Sequence, residues 1–161
     1  MTRSIVVGTD GSEPANEAVR QATEIARRDG AVLHLVAAFH DPQILPVRTT
    51  VWTNDPKGVI DSGRTDGGAQ TPTPTVDLRQ VAESLLSRAA QEAERTGVQV
   101  ETHVGEGHPA EVIIDVASHE KADLIVVGSR GLTGIKRYLL GSVSTKVSEH
   151  APCSVMIVRA G

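Results

Sequence analysis

Aromatic side chains are almost missing from this sequence: Phe39, Trp52 and Tyr138 are the whole complement of a 161-residue chain. A core without rings must be filled by Val, Ile, Leu and Ala, a diet that suits buried parallel strands covered by Ala-rich helices. The same scarcity argues against flavin-type electron transfer, since no ring is placed to stack on a cofactor. Cysteine is represented by Cys153 alone, which excludes an internal disulfide and any multi-cysteine metal cluster. No apolar run approaches the length of a membrane span, and the opening MTRSIVVGTDGS has too short an apolar stretch for a secretion signal. The expected location is the cytoplasm, with no membrane partner.

A charge excess of one sign is also lacking. Residues 1–80 and 81–161 each hold 8 basic and 10 acidic side chains, so nothing offers the electrostatic grip that nucleic acid requires. The local exception runs from Leu124 to Ser148, where Arg130, Lys136, Arg137 and Lys146 occur without an acid.

What is present alternates strand and helix. SIVVG (Ser4–Gly8) is a buried strand ended by the turn cluster Asp10-Gly11-Ser12. Ser12 caps a helix whose inner face is Ala15, Ala18, Val19, Ala22, Ile25 and Ala26, and Gly30 closes it. Ala31–Ala38 is a second buried strand. Residues 41–75 hold five of the eight prolines and seven threonines without helical period, and read as a long, flexible insertion in a single domain rather than a second domain. A helix with Val81, Leu85, Leu86, Ala89 and Ala93 inward follows, then a strand marked by Val98, Val100, Thr102 and Val104. Pro109 opens a helix facing inward with Val112, Ile113, Val116 and Ala117. Asp123–Val127 is a buried strand, a Gly-rich loop spans 128–141, Ser142 caps a helix over Val143–His150, and Ser154–Val158 is the last strand. This order predicts an α/β fold with a parallel sheet and helices on both faces. Ligands of such sheets sit beyond the strands' carboxyl ends, which directs attention to Gly8–Ser12 and to Gly128–Ser144.

The second of these carries the chemistry. Gly128-Ser129-Arg130-Gly131 can turn its N–H groups toward one anion. Gly141 and Ser142 open a helix, whose N-terminus favours phosphate. The Ser142 and Ser144 hydroxyls can donate, and Arg130 can clamp. A lone Gly-x-x-Gly would be an ordinary surface loop; following a buried strand and resuming as a Gly-Ser helix start, it reads as a phosphate site. Asp10 at a strand's end admits a ligand role or that of a turn residue beside Gly11-Ser12. The histidines lack helical ligand spacing: His103 and His108 flank a junction and His34 lies in a core strand, so they read as solvated or satisfied. No nucleophile elbow and no Walker lysine are present, and Lys136 and Lys146 read as solvated.

Glycine, two residues, glycine, nine residues, Gly-Ser after a strand resembles the nucleotide-binding signature of the universal stress protein family. IVVGTDGS, ADLIVVGSRG and APCSVMIV are similar to that family too, so the resemblance covers the chain outside 41–75. It implies an open, Rossmann-like five-stranded parallel sheet of the adenine nucleotide alpha hydrolase-like kind, a homodimer formed through strand 154–158, and bound ATP with Mg²⁺ held through the phosphates. Under it, Gly128, Arg130 and Gly131 line the ribose-phosphate side, and Gly141, Ser142, Val143 and Ser144 hold the phosphates. Thr9 and Asp10 face the nucleoside, with Asp10 near the Mg²⁺, the backbone of Ala37 approaches the adenine edge, and Gly8 and Val127 belong to the same binding set. The expected role is a stress-response nucleotide-binding module read by a regulatory protein partner. A slow ATPase or phosphotransferase, a nucleotide-free dimeric adaptor and a cyclic AMP binder remain open alternatives. No general base is evident.

Overall fold

Five consecutive residues buried on both sides, Ser4–Gly8, form β1 at the centre of the sheet. The computed structural model describes residues 3–40, 77–129 and 140–160; the 41–75 insertion, Trp52, Arg130 and Gly131 lie outside them. In chain order the further elements are α1 (Glu13–Asp29), β2 (Val32–Phe39), α2 (Leu78–Glu94), β3 (Val100–Glu106), α3 (Pro109–His119), β4 (Leu124–Gly128), α4 (Ser142–His150) and β5 (Ser154–Val158). The strands pair in the order β3-β2-β1-β4-β5, all parallel. The expected α/β architecture is therefore present, with β1 flanked by β2 on one side and β4 on the other.

Local chemistry accounts for most boundaries. The Ser12 hydroxyl accepts the Ala15 N–H at the start of α1, and Gly30 ends it at φ 63°, a left-handed value that costs glycine little. The Asp77 carboxylate caps α2, and Pro109 in the first turn of α3 has no N–H to leave unmet. Ala18 and Ala22 are wholly buried, and their small side chains let α1 lie close on the sheet.

The sheet separates two apolar layers. On one face α1 and α2 press Ala18, Ala22, Ala26, Leu86 and Ala93 against Val7, Leu33 and Leu35. On the other, α3 and α4 set Ile113, Ala117 and Val147 against Val6, Val36, Ile125 and Val127. Burying each such Leu, Ile or Val contributes about 1.5–3 kcal/mol.

Several expected details are corrected. Val81 is 53% exposed, and α2 instead buries Ala82, Leu86, Ala90 and Ala93, a face rotated from the one the larger apolar residues marked. Strand β3 begins at Val100, and Val98 is buried just ahead of it. Ser142 is the first residue of α4 and caps nothing; Gly141 holds the cap position, with no side-chain bond.

Candidate functional site

Parallel strands put their carboxyl ends, and the amino ends of the helices that follow, on one edge of the sheet. Where β1 and β4 diverge to opposite neighbours, that edge opens into a cleft of about 540 Å³, counting its open mouth. Gly8, Thr9 and Asp10 from the end of β1, and Val127 and Gly128 from the end of β4, line it together with Val143 of α4. Among the described residues, Ala15, Val36, Ala38, Pro109 and Ile113 also line it. Its walls are thus mostly aliphatic, with polar groups at one end.

That polar end is shaped by the chain turning after β1. The Thr9 N–H donates to the Val36 carbonyl at 2.8 Å, which ties the turn to β2. Thr9 is buried, and its hydroxyl accepts the Gly11 N–H at 3.3 Å. One carboxylate oxygen of Asp10 accepts the Ser12 N–H at 2.9 Å. Asp10 therefore forms the turn and also lines the cleft.

Opposite stands the head of α4. The Gly141 N–H donates to the Ser129 carbonyl at 2.7 Å, and the Ser129 N–H donates to the Val158 carbonyl at 2.7 Å. These bonds draw the end of β4 and the start of α4 together. Helices α1, α2 and α3 each begin with a side chain accepting a backbone N–H, whereas α4 begins without one. The first N–H groups of a helix have no partner within it, so α4 presents donors and the positive end of its dipole beside the cleft. Ser142 is exposed there.

Ser144 differs from expectation. It is 1% exposed, and its hydroxyl meets the carbonyls of Ser129 at 3.2 Å and Gly141 at 3.0 Å. One hydroxyl proton committed to these carbonyls is not offered to a phosphate, so Ser144 secures the loop stems. Gly128 also has a different reason to be glycine: a Cβ there would lie 2.8 Å from the Pro14 carbonyl carbon and 2.9 Å from the Ala15 nitrogen. The first turn of α1 packs directly on this residue. Ala37 turns its side chain into the α1–α2 layer, while its neighbours Val36 and Ala38 line the cleft. Arg130 and Gly131 lie outside the described residues.

Charge is distributed less simply than the acid-free stretch suggested. Lys146 donates to Glu111 of α3 at 2.6 Å. The hydrogen bond and the ammonium's attraction hold the Glu111 carboxyl below its usual range. Cys153 is half-buried, and burial followed by the nearby Asp123 pushes its thiol up, away from reactivity.

The structure also unites histidines that looked unrelated. His34 is 3% exposed, and its Nδ1 lies 3.0 Å from Nε2 of His103. Burial first, then His103, lowers the His34 pKa, against the pull of Glu101.

The profile of the universal stress protein family matches residues 1–159. Universal stress protein YxiE of Bacillus subtilis is 32% identical over 159 residues, covering 99% of this chain and 100% of the relative. The chain belongs to the universal stress protein family. Solved universal stress proteins share its fold. One, in complex with cAMP, is 27% identical, with a TM-score of 0.63 over 97% of this chain and 95% of the other. Another, from Archaeoglobus fulgidus in complex with dAMP, is 25% identical, with a TM-score of 0.62 over 97% of each chain. For a universal stress protein, the cleft residues that sequence reasoning passed over are instructive. Val36 and Ala38 sit in a strand buried on both faces, where period-2 patterning cannot tell one face from the other. Pro109 and Ile113 could have been found, because every helix following a strand of a parallel sheet begins at the ligand edge.

Proposed function

We propose that this universal stress protein binds an adenine nucleotide, ATP in preference, in the cleft between β1 and β4, and acts as a regulatory stress-response module. The observation that carries the reading is the pairing of an aliphatic cleft with the uncapped head of α4 at its rim. Val36, Ala38, Ile113 and Val127 offer an apolar wall suited to a purine. The backbone N–H groups after Gly141, with the exposed Ser142 hydroxyl, would hold phosphates. The complexes of relatives with cAMP and dAMP support the adenine assignment. Mg²⁺ would enter with the phosphates, beside the Asp10 carboxylate. Arg130 and Gly131 are assigned to the phosphate side on the motif alone.

Hydrolysis has little support: among the described residues the cleft lining supplies no general base apart from Asp10, which is engaged with Ser12, so any turnover would be slow. A single cytoplasmic domain, with 41–75 as an insertion, accords with the family profile spanning the chain. Dimerisation through β5 is part of this reading, supported by its place at the sheet edge, where half-buried Val155, Met156 and Ile157 leave an apolar margin. Light scattering should then give twice the 17.0 kDa chain mass. The resulting surface, altered by the nucleotide, would be read by a regulatory protein.

The deciding experiment is calorimetric titration of ATP–Mg²⁺, ADP and cAMP into purified protein, with mass spectrometry of anything released on denaturation. Saturable ATP binding weakened in Ser142→Ala supports the reading. Preference for cAMP, which the cAMP-bound relative favours as a second reading, would move the assignment to a monophosphate. Absence of binding by all three would leave a nucleotide-free adaptor.

A further inference from the structure

Outside the cleft, two imidazoles and a carboxylate from separate elements converge. His34 projects from the middle of β2 on the α3 side of the sheet. His103 stands on the neighbouring β3, opposite Val36. Glu120 caps the far end of α3. Their candidate donor atoms all lie within 4.8 Å of one another. Their ring centroids place the two histidines 5.2 Å apart, at an interplanar angle of 37°.

We propose that His34, His103 and Glu120 form a binding site for a divalent transition-metal ion of the zinc class, independent of the nucleotide cleft. Three features carry this. Donor type comes first: two imidazole nitrogens and one carboxylate select zinc-like ions, whereas magnesium and calcium prefer oxygen alone. Spacing is second. Ligands about 2.0–2.2 Å from a tetrahedral ion stand roughly 3.3–3.5 Å apart, so a 3.0 Å nitrogen pair needs only slight spreading and the carboxylate only a short approach. Third is the gradation of burial: His34 is 3% exposed while His103 and Glu120 are half-buried, giving a rigid floor and a solvent-side opening.

A hydrogen-bonded histidine pair places its one proton between the two facing nitrogens. Ion binding moves that proton to the far nitrogen of the same ring, freeing both lone pairs without net proton loss. Glu120, which now bonds His119 at 3.1 Å, turns one oxygen inward. Glu101, with an oxygen 3.6 Å from His34 Nδ1, is close enough to supply a fourth donor or hold a bound water. Together the two carboxylates balance the ion's charge. The ion would tie the edge strand β3 to β2 and to the end of α3. The site lies at the opposite end of α3 from Pro109 in the cleft, about 16 Å away by helical rise.

The test uses the untagged full chain, stripped with chelator, and titrated with Co²⁺ as a visible probe and with Zn²⁺ by calorimetry. Expected are one-to-one binding and a four- or five-coordinate Co²⁺ spectrum. Imidazole ¹⁵N shifts should be confined to His34 and His103. His103→Gln and Glu120→Gln should each weaken binding at least about tenfold, since loss of even an outer-shell partner costs that much. His150→Gln, on the exposed end of α4, should bind as wild type. Absence of saturable binding by the wild type overturns the proposal, as does equal binding by the two ligand variants. Shifts at other histidines overturn it even if His103→Gln fails to fold.

Discussion

Gly128→Ala tests whether this glycine serves the fold or the ligand. The added Cβ would meet the Pro14 carbonyl carbon at 2.8 Å and both the Pro14 oxygen and the Ala15 nitrogen at 2.9 Å. All are backbone atoms of the first turn of α1, so no side-chain rotation relieves the overlap and the helix itself must shift. Overpacking of this kind costs about 1–3 kcal/mol, or roughly 2–4 °C of Tm per kcal/mol in a chain of this size. Gly8→Ala is the natural comparison. Its Cβ would sit against Ile113, closest to Cδ1, with Cγ1 at 3.1 Å, and a side chain can leave its rotamer for about 0.5–1.5 kcal/mol. Ile113 lines the cleft, so Gly8→Ala should unfold little more easily than wild type yet lose ligand affinity. Adding Ile113→Val, which removes Cδ1, should restore part of that loss as a favourable coupling in the double-mutant cycle. Urea unfolding followed by far-ultraviolet circular dichroism supplies the stabilities, and nucleotide titration the affinities. If Gly128→Ala is within about 0.5 kcal/mol of wild type, the range of an ordinary surface change, the packing account fails and Gly128 acts only in the phosphate loop.

The serines of α4 should separate in the same way. Ser144→Ala removes the donor shared by two loop carbonyls and should cost about 0.5–1.5 kcal/mol in urea unfolding. Ser142→Ala at the exposed helix head should leave stability unchanged and weaken nucleotide binding about tenfold by calorimetry, as loss of a bond to a charged group does. Leu86→Ala, at 1% exposure, should destabilise by about 2–5 kcal/mol, whereas Val81→Ser, at 53%, should stay within about 0.5 kcal/mol on the same urea curves. Glu17, held mainly by its hydrogen bond from Arg20 and then by Gln21, should titrate at about 2 in a carboxyl NMR experiment. Arg20→Gln should raise that midpoint. Because the folded pKa is the lower one, the Glu17 contribution is present above the unfolded carboxylate pKa and is lost as pH falls through about 2.

Much of this protein was settled by the sequence alone. Runs such as Ile5–Val7 and Ile125–Val127 can only be strands buried on both faces, and the helix punctuation at Ser12, Gly30 and Pro109 acts within a turn of where it stands. Local rules of this kind need no distant partner, so the α/β order and the two loops bordering the cleft were legible. Tertiary structure decided what depends on which faces meet. Ala37 and Ala38 are chemically identical neighbours, yet one enters the α1–α2 layer and the other lines the cleft, because the pleat turns alternate residues to opposite faces. Ser142 and Ser144 read alike as phosphate donors until the helix turned one outward and buried the other. His34 and His103 are separated by 69 positions in the chain, and only the parallel pairing of β2 with β3 places their nitrogens together. Contacts of that kind arise from register and packing between elements, which no local pattern encodes.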